Sequence, residues 1–112
     1  MAGVEEVTKD RMRLLGSAHP ELVLEDDYMD TEEGLRGLIR KLDRRGEVVG
    51  LEFVEPEELW ADPDVVEEYA ETLEEGIEVT VIVPTAEKLG AEALLREEAG
   101  PVTVLGYDDI GT

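Results

Sequence analysis

The sequence predicts an α/β domain: a three-layer α/β/α sandwich around a four-stranded sheet, largely parallel or mixed. Three observations carry this. Residues 77–111 read strand, helix, strand, and parallel strands need a crossover of that kind because no tight turn can join them. Residues 77–83, Ile-Glu-Val-Thr-Val-Ile-Val, are apolar on both faces, as in a sheet covered on two sides. Runs with helical spacing alternate with β-branched runs along most of the chain, the pattern of an α/β fold.

Each element has its own signal. Residues 4–15 predict a helix with Val4, Val7, Leu14 and Leu15 toward one face, and Gly16-Ser17-Ala18-His19-Pro20 breaks it. Residues 21–25 predict a short strand ended by Asp26 and Asp27. A second helix is predicted next. Asp30 is placed to cap it, Glu33 completes a capping box, and Leu35, Leu38, Ile39 and Leu42 fall at i, i+3, i+4 and i+7. Gly46 ends it. Residues 47–54 form the next strand, with bulk from Val48, Val49, Leu51, Phe53 and Val54. Residues 55–60 read as a loop or single helical turn.

Asp62 then caps a third helix with Pro63 at its first position. Val65, Val66, Tyr69, Ala70 and Leu73 make its apolar face, and Gly76 stops it. After the strand at 77–83, Thr85 is read as the cap of a fourth helix over residues 85–99, with Leu89, Ala93 and Leu94 inward. The last strand runs over residues 102–107. The whole reads as one domain over residues 1–112: an N-terminal helix and loop (1–20), an α/β core (21–107) and a tail (108–112).

Composition narrows the function classes. A chain of 112 residues has room for one core. Hydrophobic residues make up 42% but aromatics only 4%, so that core must be aliphatic. There is no cysteine, which excludes disulfides, thiolate zinc sites and cysteine catalysis. No apolar run approaches the roughly 18 residues of a membrane span, and no signal-peptide pattern opens the chain. A cytoplasmic setting is the expectation.

Thirty acids against ten bases give a formal net charge of -20. Such a surface repels a phosphate backbone and favours a basic protein as partner over nucleic acid. The densest basic cluster, Arg36, Arg40, Lys41, Arg44 and Arg45, reads as the solvated face of the second helix. Asn and Gln are absent and Glu outnumbers Asp more than two to one. That suits a hyperthermophile, with high intracellular salt as the competing explanation for the acids.

Catalytic devices are scarce. Neither G-x-G-x-x-G nor G-x-x-x-x-G-K-[ST] occurs. His19 is the only histidine, and its ordinary reading is a loop residue before proline. A histidine-rich metal site is impossible. Glu55, Glu57, Glu58, Asp62 and Asp64 cluster where a strand ends and a helix begins, a place where α/β sheets host ligands. They read either as solvated surface or as ligands for a hard cation. Trp60 in the same loop is either an exposed anchor for a partner or a plug at the end of the core. Glu55, Glu57, Glu58 and Trp60 are therefore the candidate partner-binding residues. No catalytic, cofactor-binding or metal residue is assigned.

Residues 23–27 followed by Gly34, Gly37 and Gly50 look like the opening of a phospho-receiver domain, but the strand at 79–83 ends in Pro84 and no lysine follows Lys88. A second resemblance covers most of the chain. Gly46-Glu47-Val48-Val49-Gly50-Leu51, Val65-Val66-Glu67-Glu68-Tyr69-Ala70, Val79-Thr80-Val81-Ile82-Val83-Pro84-Thr85, Gly90-Ala91-Glu92-Ala93-Leu94-Leu95, Gly100-Pro101 and Val104-Leu105-Gly106-Tyr107 follow one another in order. Over about residues 30–111 the chain resembles the C-terminal domain of the archaeal and eukaryotic class-one peptide-chain release factor and of Pelota. That superfamily also includes kink-turn-binding ribosomal proteins.

The chain has no glutamine, so the release factor's catalytic Gly-Gly-Gln is missing and peptidyl-tRNA hydrolysis is not expected. Asp30-Thr31-Glu32-Glu33-Gly34 stands where the RNA-binding branch carries its Gly, Asn-Glu and Lys signature. What the resemblance implies is a non-enzymatic module that docks to a translational GTPase or a ribosome-recycling factor. Two alternatives stand beside it. Residues 73–82 also resemble phospholipase-D-like sensor domains, which implies the ligand-sensing domain of an archaeal transcriptional regulator. The strand-end carboxylates allow a small magnesium-dependent enzyme.

Overall fold

The computed structural model describes residues 3–110. Residues 1, 2, 111 and 112 of the expected N-terminal and tail segments lie outside the described residues. The order is α1 (Val4–Ala18), β1 (Val23–Thr31), β2 (Gly34–Leu42), β3 (Val48–Val54), α2 (Pro63–Glu74), β4 (Glu78–Val83), α3 (Lys88–Glu98) and β5 (Thr103–Gly106). Short 3-10 turns sit at Leu59–Ala61, Thr85–Glu87 and Tyr107–Asp109. The strands form one open five-stranded sheet in the order β1-β2-β3-β4-β5. The pairs β1/β2 and β2/β3 are antiparallel, and β3/β4 and β4/β5 are parallel. The class is mixed α/β, with five strands where four were expected.

The additional strand corrects the reading of residues 26–46. The expected second helix is instead β2, the second arm of a hairpin, and the expected short strand extends to Thr31. Leu35, Leu38, Ile39 and Leu42 satisfy helical spacing, yet Gly37 lies between them, and glycine inside a helix costs about 1 kcal/mol. In the strand Gly37 has a use. A methyl group there would overlap Thr8 Oγ1 of α1, so the missing side chain lets helix and sheet approach. Asp30 and Glu33 cap nothing; Thr31 organises the turn instead, its Oγ1 donating to Gly34 O (2.6 Å) and accepting from Glu33 N (3.2 Å). Arg36, Arg40 and Lys41 therefore stand on a strand, and Arg44 and Arg45 on the turn into β3.

Neighbouring residues of a strand point to opposite faces, and two clusters divide the sheet accordingly. Phe53, Val79, Val81, Val83 and Val104 join Val65, Val66 and Tyr69 of α2 and Ala91 and Leu95 of α3. Val54 and Ile82 join Val4 and Val7 of α1, with Leu35 and Leu105 packed alongside. The inward stripe of α1 is Val4, Val7, Thr8, Arg11 and Leu15, while Leu14 is exposed.

Two helix-face expectations also change. The 3-10 turn Thr85–Glu87 delays α3 to Lys88 and rotates its phase. Ala91 and Leu95 are buried, Leu94 is half-buried, Ala93 is exposed, and Leu89 is 81% exposed. Thr85 does not cap the helix; its Oγ1 accepts from Asp108 N (3.1 Å). Among the described residues no helix is long and apolar enough to cross a membrane.

Candidate functional site at the end of the third strand

The parallel half of the sheet brings the carboxyl ends of β3, β4 and β5 to one edge of the molecule. There β3 runs into Glu55, whose backbone N–H donates to Ile82 O (2.8 Å) and extends the ladder by one step. Its side chain is fully buried. Arg36 of β2 grips it twice, Nε to Oε1 at 2.7 Å and Nη2 to Oε2 at 2.8 Å, and Tyr69 Oη donates to the same Oε2. Arg36 Nη2 also donates to Glu68 Oε1 (2.9 Å), and its guanidinium lies 5.6 Å from the centre of the Phe53 ring. Burial alone would lower the Arg36 pKa, but the bonds and charges of Glu55 and Glu68 outweigh it and raise it. Tyr69 is raised strongly, first by burial and then by the Glu55 charge. Tyr107 Oη donates to the Glu55 carbonyl oxygen, tying β5 to the same point.

Glu55 therefore works inside the fold and offers nothing to a partner. Trp60 is also buried, in the cluster of α2 and α3, and so closes the end of the core. Its Nε1 donates to Glu87 Oε1 (2.7 Å), which also accepts from Glu58 N (2.8 Å). One carboxylate thus fixes the loop at two points. Glu58 needs that help because its backbone is left-handed, with φ of 59°. Asp62 caps α2 as expected, its Oδ1 accepting from Asp64 N (2.9 Å).

Glu57 and Glu58 are exposed. They line a groove of about 490 Å³ together with Glu33, Leu59, Trp60, Ala61 and Asp62. Glu33 comes from the β1–β2 turn, which rests on the loop at Pro56: Gly34, with φ of 128°, would place a Cβ 3.3 Å from Pro56 Cβ. Acidic residues from two segments, the β1–β2 turn and the loop between β3 and α2, thus line one groove with Leu59, Trp60 and Ala61. Glu57 also borders a second groove of about 570 Å³, between Val4, Pro56, Pro84 and Tyr107. Burial, then Glu87, Glu55 and Glu57, push the Tyr107 hydroxyl up to about 12.

A second charged network lies on the other face. Glu52 is fully buried under α1; it accepts from Arg11 at Oε1 (2.7 Å) and Oε2 (3.0 Å) and from Lys41 at Oε2 (3.0 Å). Burial would raise its pKa, but Arg11 and Lys41 hold it below the ordinary glutamate value. Arg11 also donates to Ile110 O, fastening the end of the described chain to α1.

Comparison with protein-family models, with curated proteins and with solved structures gives no match. The site is therefore read from its own chemistry. Among the described residues no group of three or more His, Asp or Glu is gathered as metal ligands would be; Glu55 is taken by Arg36 and Tyr69, and Asp62 by the cap. The sequence reading missed Arg11, Arg36, Glu52, Tyr69 and Glu87. One signal was available: in Val48–Val54 and the residue after it, Glu52 and Glu55 interrupt an apolar run on alternate faces, and a buried carboxylate demands a cation.

Proposed function

We propose that this chain is a non-enzymatic protein-binding module that seats a basic segment of its partner in the groove rimmed by Glu33, Glu57, Glu58 and Asp62. The supporting observation is that Glu33, Glu57, Glu58 and Asp62 line one groove together with Leu59, Trp60 and Ala61. A lysine or arginine side chain suits such a groove, with its hydrocarbon stem on the floor and its charge at the rim. The net charge of -20 speeds encounter with a basic partner and screens out acidic ones. Glu87 keeps the floor rigid, which limits the ordering cost of binding. We read the packing of helices against alternate strand residues as α/β/α layering. The resemblance to the release-factor and Pelota C-terminal domain directs the search for a partner to a translational GTPase or a ribosome-recycling factor.

The test is capture from a hyperthermophilic archaeal lysate at low and moderate salt. The expected result is recovery of one of those factors by the wild-type chain and its loss with the triple variant Glu33→Lys, Glu57→Lys, Glu58→Lys. Recovery of neither factor, or equal recovery by the variant, would defeat the reading.

A further inference from the structure

We propose that β1 is a second docking edge, to which an extended basic segment of a partner adds as a strand. This keeps the protein-binding reading but uses a different surface from the groove. β1 pairs with β2 through all of Val23–Thr31 and stands at the end of the sheet, so among the described residues no strand pairs with its other side. Its nine residues give an edge of about 30 Å. The opposite edge, β5, has four residues.

The backbone of β1 is divided in the way strand addition requires. Alternate residues of an antiparallel strand turn their N–H and C=O toward the neighbour, and the rest turn away. The Tyr28 N–H donates to the carboxylate of Asp27 (2.9 Å). Tyr28 therefore belongs to the set facing away from β2, along with Leu24, Asp26 and Asp30. An incoming strand would take over that N–H.

The side chains decide the occupant. Glu25, Asp26, Asp27 and Asp30 are exposed, and β1 carries no lysine or arginine. Arg40 of β2 offers Asp27 a contact at 3.5 Å. A second copy of this chain, paired edge to edge, would set acid against acid, and like charges across a strand pair are destabilising. The acids thus guard the edge against self-association. A strand with lysine or arginine at alternate positions makes the same contacts favourable. Main-chain bonds then supply affinity and the acids supply selection.

The probe is a synthetic peptide of about ten residues, alternating lysine and threonine to match the edge, added to the full chain. Hydrogen exchange should slow roughly tenfold at the amides of Leu24, Asp26, Tyr28 and Asp30. Methylating alternate peptide nitrogens should abolish binding in one register and spare it in the other. Asp26→Lys with Asp30→Lys should weaken the protection of those amides roughly tenfold, while the equally charged change Glu74→Lys with Glu75→Lys, at exposed positions outside both surfaces, leaves it unchanged. The readout is taken at β1 amides alone, so failure of the groove reading would not mimic failure here. Three results would overturn the proposal: no slowing at those amides, equal binding by both methylated peptides, or equal binding by a peptide with glutamate in place of lysine.

Discussion

Arg36 and Glu55 form a two-pronged ion pair, 2.7 and 2.8 Å, that closes over the end of the sheet from β2 to the residue after β3. Arg36 is 7% exposed and Glu55 not at all. Removing one partner leaves a charge in the interior. Arg36→Met should therefore cost about 3–5 kcal/mol, a large share of the stability of a small domain. Arg36→Met with Glu55→Leu should recover part of that loss. Urea unfolding of the two variants measures both effects.

Trp60 is the only tryptophan, which makes the Glu87 contact easy to follow. Glu87→Ala leaves the indole N–H and the Glu58 N–H without their shared acceptor. The loss should be about 1–3 kcal/mol. Tryptophan emission should shift to longer wavelength as water reaches the ring.

Glu58 carries a left-handed backbone at φ 59°, which a side chain makes costly. Glu58→Gly relieves that strain but frees the unfolded chain. The net expectation is a gain of about 0.5 kcal/mol, read as a higher urea midpoint with an unchanged slope.

The surface charge predicts a salt response. Thirty acids face ten bases, and Arg11, Arg36 and Lys41 are already committed to buried or half-buried partners. The remaining acids repel one another until ions screen them. Melting temperature should rise steadily from low to molar potassium chloride. Each ~1 kcal/mol of repulsion removed is worth about 5 °C. A flat or falling curve would contradict this.

Stability should fall at both ends of the pH scale, for different reasons. The Glu52 pKa is depressed in the folded state by Arg11 and Lys41. Its contribution is complete above the unfolded glutamate value of about 4.3 and is lost as pH falls below it. Burial raises Tyr28, and burial with nearby acids raises Tyr107, each to about 12. Their contribution is complete below the unfolded tyrosine value of about 10 and disappears as pH rises toward 12. Absorbance at ~295 nm should show little phenolate at pH ~10.5 in the native chain, then a rise together with unfolding.

The parallel half of the fold was legible from the sequence because its signals are local. Asp62 and Pro63 open α2, Gly76 follows its end, and the Val79–Val83 run has no polar face to confuse it. The hairpin was not legible. Leu35, Leu38, Ile39 and Leu42 keep helical spacing, and the one local sign against a helix, Gly37, gains its meaning from the approach of Thr8, a contact between distant parts of the chain. The candidate site was half visible. The sequence groups Glu55, Glu57 and Glu58 as candidate partner-binding residues; Glu57 and Glu58 are exposed, but Glu55 is buried because Arg36 and Tyr69 reach it from other elements. Glu33 joins the groove through a turn that the helical reading had erased.

The two buried glutamates of the β3 segment sit three positions apart and face opposite ways, Glu52 toward Arg11 and Glu55 toward Arg36. Sliding that segment by a single residue would turn both away from their arginines at once. Their worth thus lies in fixing alignment. Each acid and its base therefore stand or fall as a pair: replacing Glu52 alone with an apolar residue strands Arg11, and replacing both in step is the cheaper change.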